Sequence, residues 1–138
     1  MSFLDADDLW YSDRLMIVFN YINKHPNSDV LCHNEMLNNR DSHIKTPLFY
    51  GPFTINFYQN LLKKGNCLST SATTIRSSLI IEHKIDFNTS EDYVIVEDYD
   101  FWLKLAYHNA NFYFIPDILG EYIIQNDVSI IPYSIGVN

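Results

Sequence analysis

The sequence contains few cysteines, little positive charge and no long apolar run. Its 138 residues include only Cys32 and Cys67, which are too few for the disulfide framework of a small secreted protein. Their separation also matches no metal-binding spacing. We therefore expect two free, buried thiols and a reducing compartment.

Basic residues are outnumbered, because nine Lys and Arg against seventeen Asp and Glu give a net charge of -8. This charge opposes binding to nucleic acids or anionic lipids, so nucleic acid is not an expected partner. No apolar run approaches the roughly 18 residues of a membrane span, and the residues after Met1 lack the basic start of a signal peptide. The sequence predicts a cytoplasmic protein without a transmembrane segment.

Glycine is scarce as well, with four residues and no glycine-rich phosphate loop. The five histidines have no paired i,i+4 spacing, so we expect them at structural or surface positions. No Ser-His-Asp or Cys-His arrangement is evident from the spacing. These absences argue against P-loop proteins, hydrolases and histidine metal sites.

Apolar residues make up 47% of the chain and aromatic residues 15%, which is enough for one domain over residues 1–138. Hydrophobic spacing predicts helices over about 12–24, 53–64 and 97–108, the second ending at Gly65, and a helical turn within 79–85. Short strands are expected at 1–4, 30–33, 72–76, 112–115 and 119–124, with a turn at Pro116 and Asp117. The polar stretch 34–46 reads as a loop. This order of elements indicates an α/β fold.

Three carboxylates follow an apolar start within residues 3–10, Phe-Leu-Asp-Ala-Asp-Asp-Leu-Trp. In an extended segment Asp5 and Asp7 lie on one side, about 6.5 to 7 Å apart, and could converge on one ion. Mg²⁺ and Mn²⁺ prefer oxygen ligands, and Mg²⁺ commonly combines one or two carboxylates with substrate phosphates. The alternative is that Asp7 or Asp8 caps the helix that follows.

A second acidic cluster opens the last predicted helix with Glu97, Asp98 and Asp100. A carboxylate in the first helical turn is stabilised as an anion and can accept a proton, which makes Asp98 a candidate general base. Trp102 lies one turn further on. It could form an apolar wall for a sugar ring, but its helical spacing favours the core.

These motifs resemble one enzyme family. The segment 3–10, with Ser-Asp-Arg-Leu at 12–15, resembles the DXD segment of family 2 glycosyltransferases of the GT-A fold. The segment 97–106, Glu-Asp-Tyr-Asp-Phe-Trp-Leu-Lys-Leu-Ala, is similar to the acidic start of that family's base-carrying helix. Between them, Gly65-Asn66, the stretch 69–71 and Ile75-Arg76 are similar to its acceptor-side segment, in the same order.

The resemblance implies the acceptor-side half of a GT-A sandwich, a Rossmann-like α/β fold with a mixed sheet and roughly three helices. It implies inverting transfer of a sugar from a nucleotide-sugar donor, UDP-linked, to a saccharide acceptor in surface polysaccharide synthesis. Mg²⁺ or Mn²⁺ would be bound by Asp7 and Asp5, which also face the donor, and Asp98 would be the base, oriented by Glu97. The acceptor-binding residues implied are Asn66, Ser71, Asp100 and Trp102.

The sequence departs from the family in two places. The nucleotide-binding half of about a hundred residues that usually precedes the DXD segment does not stand before Met1, which suggests a fragment or a truncated relative. The family's Tyr-Arg-x-His segment corresponds to 122–125, where Ile123 and Gln125 replace the two basic residues. A second hypothesis is therefore a non-catalytic module for acceptor binding or self-association.

The resemblance also bears on assembly and location. A sandwich without one half exposes apolar surface, and such surface drives association, so we expect a homo-oligomer. The chain is expected in the cytoplasm or peripherally at the inner face of the membrane.

Overall fold

The computed structural model describes residues 1–52, 56–93 and 95–125. In these ranges the chain is α/β with a mixed sheet, as predicted; the sheet has five strands, and there are four α-helices where roughly three were expected. The strands are β1 (Leu9–Trp10), β2 (Val30–Asn39), β3 (Ile44–Leu48), β4 (Thr73–Ile75) and β5 (Phe112–Ile124). The helices are α1 (Arg14–Lys24), α2 (Phe57–Lys64), α3 (Ser77–His83) and α4 (Glu97–Tyr107), with one 3₁₀ turn at Glu91–Tyr93.

Strand β2 is the centre of the sheet. It runs parallel to β5 on one side and antiparallel to β4 and β3 on the other, which pair with its first and second halves respectively. β1 pairs antiparallel with β5, and Ser2 forms a single bridge to Thr74 beyond β4. The N-terminal acidic segment therefore runs from the edge of the sheet beyond β4 to the opposite edge beyond β5.

The prediction of a loop over 34–46 is wrong. Residues 34–39 continue β2, and residues 44–46 open β3, so that the polar stretch forms an antiparallel pair. Strand propensity is weak here, but a strand that pairs on both sides satisfies its backbone groups regardless of side-chain type. The same pairing buries His33, Asn34 and Glu35 in the middle of the sheet.

The prediction of two separate closing strands is also wrong, because residues 112–124 form one strand. The expected turn at Pro116 and Asp117 is a bulge instead, where the register against β2 passes from Ile115 directly to Ile118. Proline donates no backbone hydrogen bond, and a bulge tolerates it. The Asn34 side chain donates to the Pro116 carbonyl oxygen at 2.9 Å and fixes the bulge.

The helix predictions agree with the structure within a few residues. Helix α2 ends at Gly65, whose φ of 80° lies in the left-handed region that glycine adopts without strain. Its start is capped by Asn56, and the predicted first residues 53–55 lie outside the described part of the chain.

Alternate residues of β2 face two hydrophobic clusters. Val30 and Cys32 pack on one side with α2 and α4, which contribute Leu61 and Trp102 among others. Leu31 faces the other side, where α1 packs. Helices thus cover both faces of the sheet, and the loops at its ends are left to build a site. Within the described ranges, no helix is long and apolar enough to cross a bilayer.

Candidate functional site

A cavity of about 410 Å³ brings together the two acidic motifs of the sequence. Asp5 comes from the N-terminal acidic loop, and Glu97 and Asp98 come from the first turn of α4. The cavity is lined by Phe3, Leu4, Asp5, Thr70, Phe87, Ile95, Glu97 and Asp98. Carboxylates more than 90 positions apart in sequence therefore face one space.

The acidic loop is fastened by Ser71, which is fully buried just before β4. The Ser71 hydroxyl donates to Asp8 Oδ2 at 2.6 Å and accepts from the Asp5 backbone N–H at 3.0 Å. Asp8 Oδ1 also accepts from the Ile123 N–H of β5 at 3.0 Å. Asp8 thus ties the loop to both sides of the sheet.

The helix-cap alternative for the acidic loop is wrong. The residue before α1 is Asp13, and its side chain makes no capping hydrogen bond. Neither Asp7 nor Asp8 therefore caps the helix. The carboxylates of this loop either hold the loop in place or face the space in front of it.

Asp5 and Asp7, the predicted metal ligands, take different positions. Both are exposed, but Asp5 lines the cavity and Asp7 lies outside its lining. Burial raises the pKa of Asp5, and the charges of Asp8, Asp7, Asp98 and Glu97 raise that pKa further. Residues 1–52, 56–93 and 95–125 contain no group of three or more His, Cys, Asp or Glu side chains placed to hold a metal. Metal binding by this pair remains a prediction.

Both oxygens of the candidate base Asp98 are held. Oδ2 accepts from Asn66 Nδ2 at 2.8 Å, and Oδ1 accepts from the Tyr99 N–H at 2.7 Å. Burial raises the pKa of Asp98, while these two hydrogen bonds lower it in part and the charge of Glu97 raises it. A raised pKa strengthens a carboxylate as a proton acceptor.

Glu97 was expected to orient Asp98, but its Oε2 accepts from the Ile95 N–H at 2.6 Å. Asn66 does the orienting instead, and its own Oδ1 accepts from the Leu68 N–H at 3.2 Å. Asn66 and Ser71 were expected to bind the acceptor, and in the structure each holds a carboxylate of the site.

The other two residues expected to bind the acceptor lie further along α4. Asp100 pairs with Lys104 one turn later, at 2.6 Å, and does not line the cavity. Trp102 is fully buried and packs edge-on against Phe101. The structure therefore places Trp102 in the core, the alternative that its helical spacing favoured, and takes it out of the acceptor site.

Sequence reasoning missed the cavity wall formed by Phe87. Its ring stacks on Phe101 with centroids 4.2 Å apart and planes 7° apart, and meets Phe3 edge-on at 5.4 Å. The one signal for Phe87 in the sequence is an isolated aromatic residue between Asp86 and Asn88, because this segment shows no hydrophobic periodicity.

A buried arginine behind the acidic loop was missed as well. Arg14, fully buried at the start of α1, donates to His33 Nε2 and to Thr74 Oγ1, each at 3.0 Å. Its guanidinium lies 3.9 Å from the centroid of the Trp10 ring. Because arginine only donates, His33 accepts at Nε2 and donates from Nδ1 to the Asn34 carbonyl oxygen. His33 is therefore neutral, and burial lowers its pKa to about 4.

Glu35 is a second buried ionisable group in this region. The Tyr50 hydroxyl donates to Glu35 Oε2 at 2.8 Å. Burial raises the pKa of Glu35 to about 7; the Tyr50 hydrogen bond and the charge of Arg14 oppose that rise, and the charge of Asp8 adds to it. The strand β2 thus carries a carboxyl group that changes charge near neutral pH.

The segment 122–125 lies beside the acidic loop, as the resemblance implies. Burial raises the pKa of Tyr122 to about 12, and the charges of Asp8, Asp7 and Asp5 contribute. Ile123 is buried, with its N–H bound to Asp8, and Gln125 is exposed. Neither of these two side chains can supply positive charge next to the loop.

Comparison with known proteins adds no assignment: no protein-family model matches the chain, and no curated protein does.

Proposed function

We propose that this chain carries the acceptor side of an inverting glycosyltransferase that uses a nucleotide-sugar donor, UDP-linked, and a saccharide acceptor. The observation that supports the proposal is the cavity shared by Asp5 and Asp98. Asp5 of the first motif and Asp98 of the second line one cavity, which is the arrangement the reaction would need if the first faces the donor and the second the acceptor.

Mg²⁺ or Mn²⁺ fits the charge of the acidic loop. Burial raises the pKa of Asp5 and four neighbouring carboxylates raise it further, so a divalent cation near Asp5 and Asp7 would relieve their repulsion. Two carboxylates are the usual protein contribution to such a site, with water and diphosphate oxygens as the other ligands. When bound, the ion would neutralise the charge that develops on the diphosphate.

In the proposed reaction Asp98 accepts the proton of an acceptor hydroxyl. The hydroxyl oxygen forms a bond to the anomeric carbon as the bond from that carbon to the diphosphate breaks, and the diphosphate leaves with the electron pair. Asn66 and the Tyr99 N–H hold the carboxylate in place during this step. Because the oriented base directs the acceptor hydroxyl to the face of the anomeric carbon opposite the diphosphate, the configuration at that carbon is inverted.

The second candidate is a non-catalytic module for acceptor binding or self-association. It is favoured by the buried Ile123 and by Gln125, which stand where the family has basic residues near the diphosphate. This module would bind saccharide without transferring sugar, and its fold would tolerate Asp98→Asn.

The two candidates are separated by measuring UDP release from UDP-sugars with Mn²⁺ and a saccharide panel. For the enzyme, Asp98→Asn lowers the rate by roughly 10²–10⁴-fold while UDP binding is retained. Asp92→Asn, an exposed carboxylate before α4, serves as the control and keeps the rate. UDP release that survives Asp98→Asn contradicts the assignment of the base, and saccharide binding without any UDP release supports the module.

A further inference from the structure

The cavity lining combines apolar and acidic residues. Phe3, Leu4, Phe87 and Ile95 are apolar, Asp5, Glu97 and Asp98 are acidic, and Thr70 is the eighth lining residue. None of the eight lining residues is basic. A ligand in this space therefore meets both hydrocarbon and negative charge.

Among the described residues, Glu97 and Asp98 have no positive partner in the cavity. Glu97 accepts from a backbone N–H, and Asp98 accepts from an amide and a second backbone N–H, all of which are neutral donors. A cation on the acidic loop would be bound by Asp5 and Asp7 rather than by these two carboxylates, and would offset the negative charge of the cavity only in part. An anionic group on the ligand would face them at close range in a partly buried space, where repulsion is strong.

The apolar part of the lining includes one aromatic ring that its neighbours hold in place. Phe87 is supported by the parallel ring of Phe101 and by the edge contact with Phe3, so its position is set by the core rather than by solvent. An aromatic ring held in this way presents a large apolar area at little cost in side-chain entropy. The C–H face of a pyranose ring is a suitable match, since its hydroxyls point outward from the ring edge.

We infer that the acceptor group bound in this cavity is an uncharged sugar ring, with its apolar face against Phe87 and a hydroxyl toward Asp98. Saccharides that carry a carboxylate, sulfate or phosphate on that ring are excluded by Glu97 and Asp98. This inference rests on the proposed function, because it concerns the acceptor of the same site.

The test is titration of the full ¹⁵N-labelled chain with matched methyl glycosides, followed by NMR. The neutral probes are the methyl glycosides of glucose, galactose, mannose and N-acetylglucosamine, and the charged probes are methyl glucuronide and methyl galacturonide. At least one neutral probe should shift the amides of residues 86–88 and 95–98, with a Kd in the millimolar range. The uronide of the same ring should bind about tenfold more weakly or not at all.

Variants separate the apolar and acidic parts of the cavity lining. Phe87→Leu keeps apolar volume for folding but removes the ring, and should weaken the neutral glycoside several-fold, while Phe49→Leu, exposed outside the cavity, should not. Glu97→Gln should strengthen uronide binding several-fold relative to binding of the neutral glycoside by the same variant. A charge effect of this kind would not follow from altered folding.

The inference is contradicted if a uronide binds as tightly as its neutral partner, or if no neutral glycoside shifts these amides at about 100 mM. UDP with Mn²⁺ is titrated into the same sample. If UDP binds and neutral glycosides do not, the inference fails and the proposed function keeps its donor site. If neutral glycosides bind as expected and UDP does not, the proposed function loses its donor site and the neutral saccharide site remains.

Discussion

At the scale of single residues, the proton affinity of Asp98 is set by its neighbours. Burial and the charge of Glu97 raise its pKa, and the Asn66 amide opposes them by donating to the ionised form. Asn66 is itself held by the Leu68 N–H, so its orientation is fixed before any ligand arrives. The amide is therefore a positioning group for the candidate base.

We expect Asn66→Ala to raise the pKa of Asp98, because a hydrogen bond to the charged form is lost. Carbon-detected NMR titration of the carboxyl groups measures the change, with Asp98→Asn identifying the resonance. Asn23→Ala, on the exposed face of α1, is the matched control and should leave the Asp98 titration unchanged. An unchanged or lowered pKa in Asn66→Ala would show that the 2.8 Å contact does not hold the base in solution.

The second residue-scale prediction concerns Glu35. Its pKa is about 7 in the folded chain and near 4.5 when unfolded, so the folded state binds more protons between these values. The difference in unfolding free energy between wild type and Glu35→Gln should be constant below about pH 4.5. As the pH rises from there through 7, the wild type should lose roughly 3 kcal/mol of unfolding free energy relative to the variant.

Urea unfolding at a series of pH values for wild type and Glu35→Gln measures that difference. Comparing the two proteins separates Glu35 from His33, whose lowered pKa gives the opposite trend: stability present above pH 6.5 and lost as the pH falls toward 4. A difference that stays flat from pH 5 to 8 would contradict a buried, protonated Glu35.

At the scale of elements, the acidic loop depends on one hydroxyl. Ser71 joins Asp5 and Asp8, and Asp8 joins β5 through Ile123. Ser71→Ala leaves a partly buried carboxylate with one donor fewer, and should cost about 1–3 kcal/mol of unfolding free energy. Thermal or urea unfolding tests this, with the exposed Ser78→Ala on α3 as control. Equal stability of the two variants would mean that the loop is held by other contacts.

The elements also show what a sequence can predict. Helices α1 and α4 follow from hydrophobic spacing, and the end of α2 follows from Gly65, because these signals are local. The second half of β2 and β3 show little hydrophobic pattern and form strands through pairing with each other and with β5, so local patterns did not reveal them. β5 was divided in two because Pro116 reads as a turn, whereas a bulge against Asn34 accommodates it.

The site divides in the same way. The acidic clusters that contain Asp5, Glu97 and Asp98 are local signals that the sequence shows, whereas their meeting in one cavity is seen only in the structure. The wall at Phe87 and the role of Asn66 depend on side-chain contacts between loops with no sequence pattern. The helical spacing of Trp102 allows a place in the core or in the wall of a sugar site, and its complete burial shows that it lies in the core.

At the scale of the whole molecule, α1 carries apolar side chains on its outer face. Leu15, Met16 and Phe19 are each more than 60% exposed, although the helix already packs Val18 against the sheet. A helix that is apolar on both sides usually has a partner. We expect a second copy of this chain to cover that face.

Sedimentation velocity tests self-association through α1. The wild type should form dimers or larger assemblies, more readily at high salt because the net charge of -8 is then screened. Phe19→Glu should shift the equilibrium to monomer, while Ile81→Glu, at a still more exposed position on α3, should not. A wild-type monomer at about 0.5 mM in high salt would contradict this expectation.

We propose that the acidic loop binds a nucleotide diphosphate through a divalent cation in front of Asp98. The decisive measurement is calorimetric titration of UDP with and without Mn²⁺ into wild type, Asp7→Asn and, as a control at the exposed position before α1, Asp13→Asn. We predict binding that requires Mn²⁺, is weakened about tenfold or more in Asp7→Asn and is retained in Asp13→Asn. Absence of binding at millimolar UDP, or equal affinity in the two variants, would contradict the account.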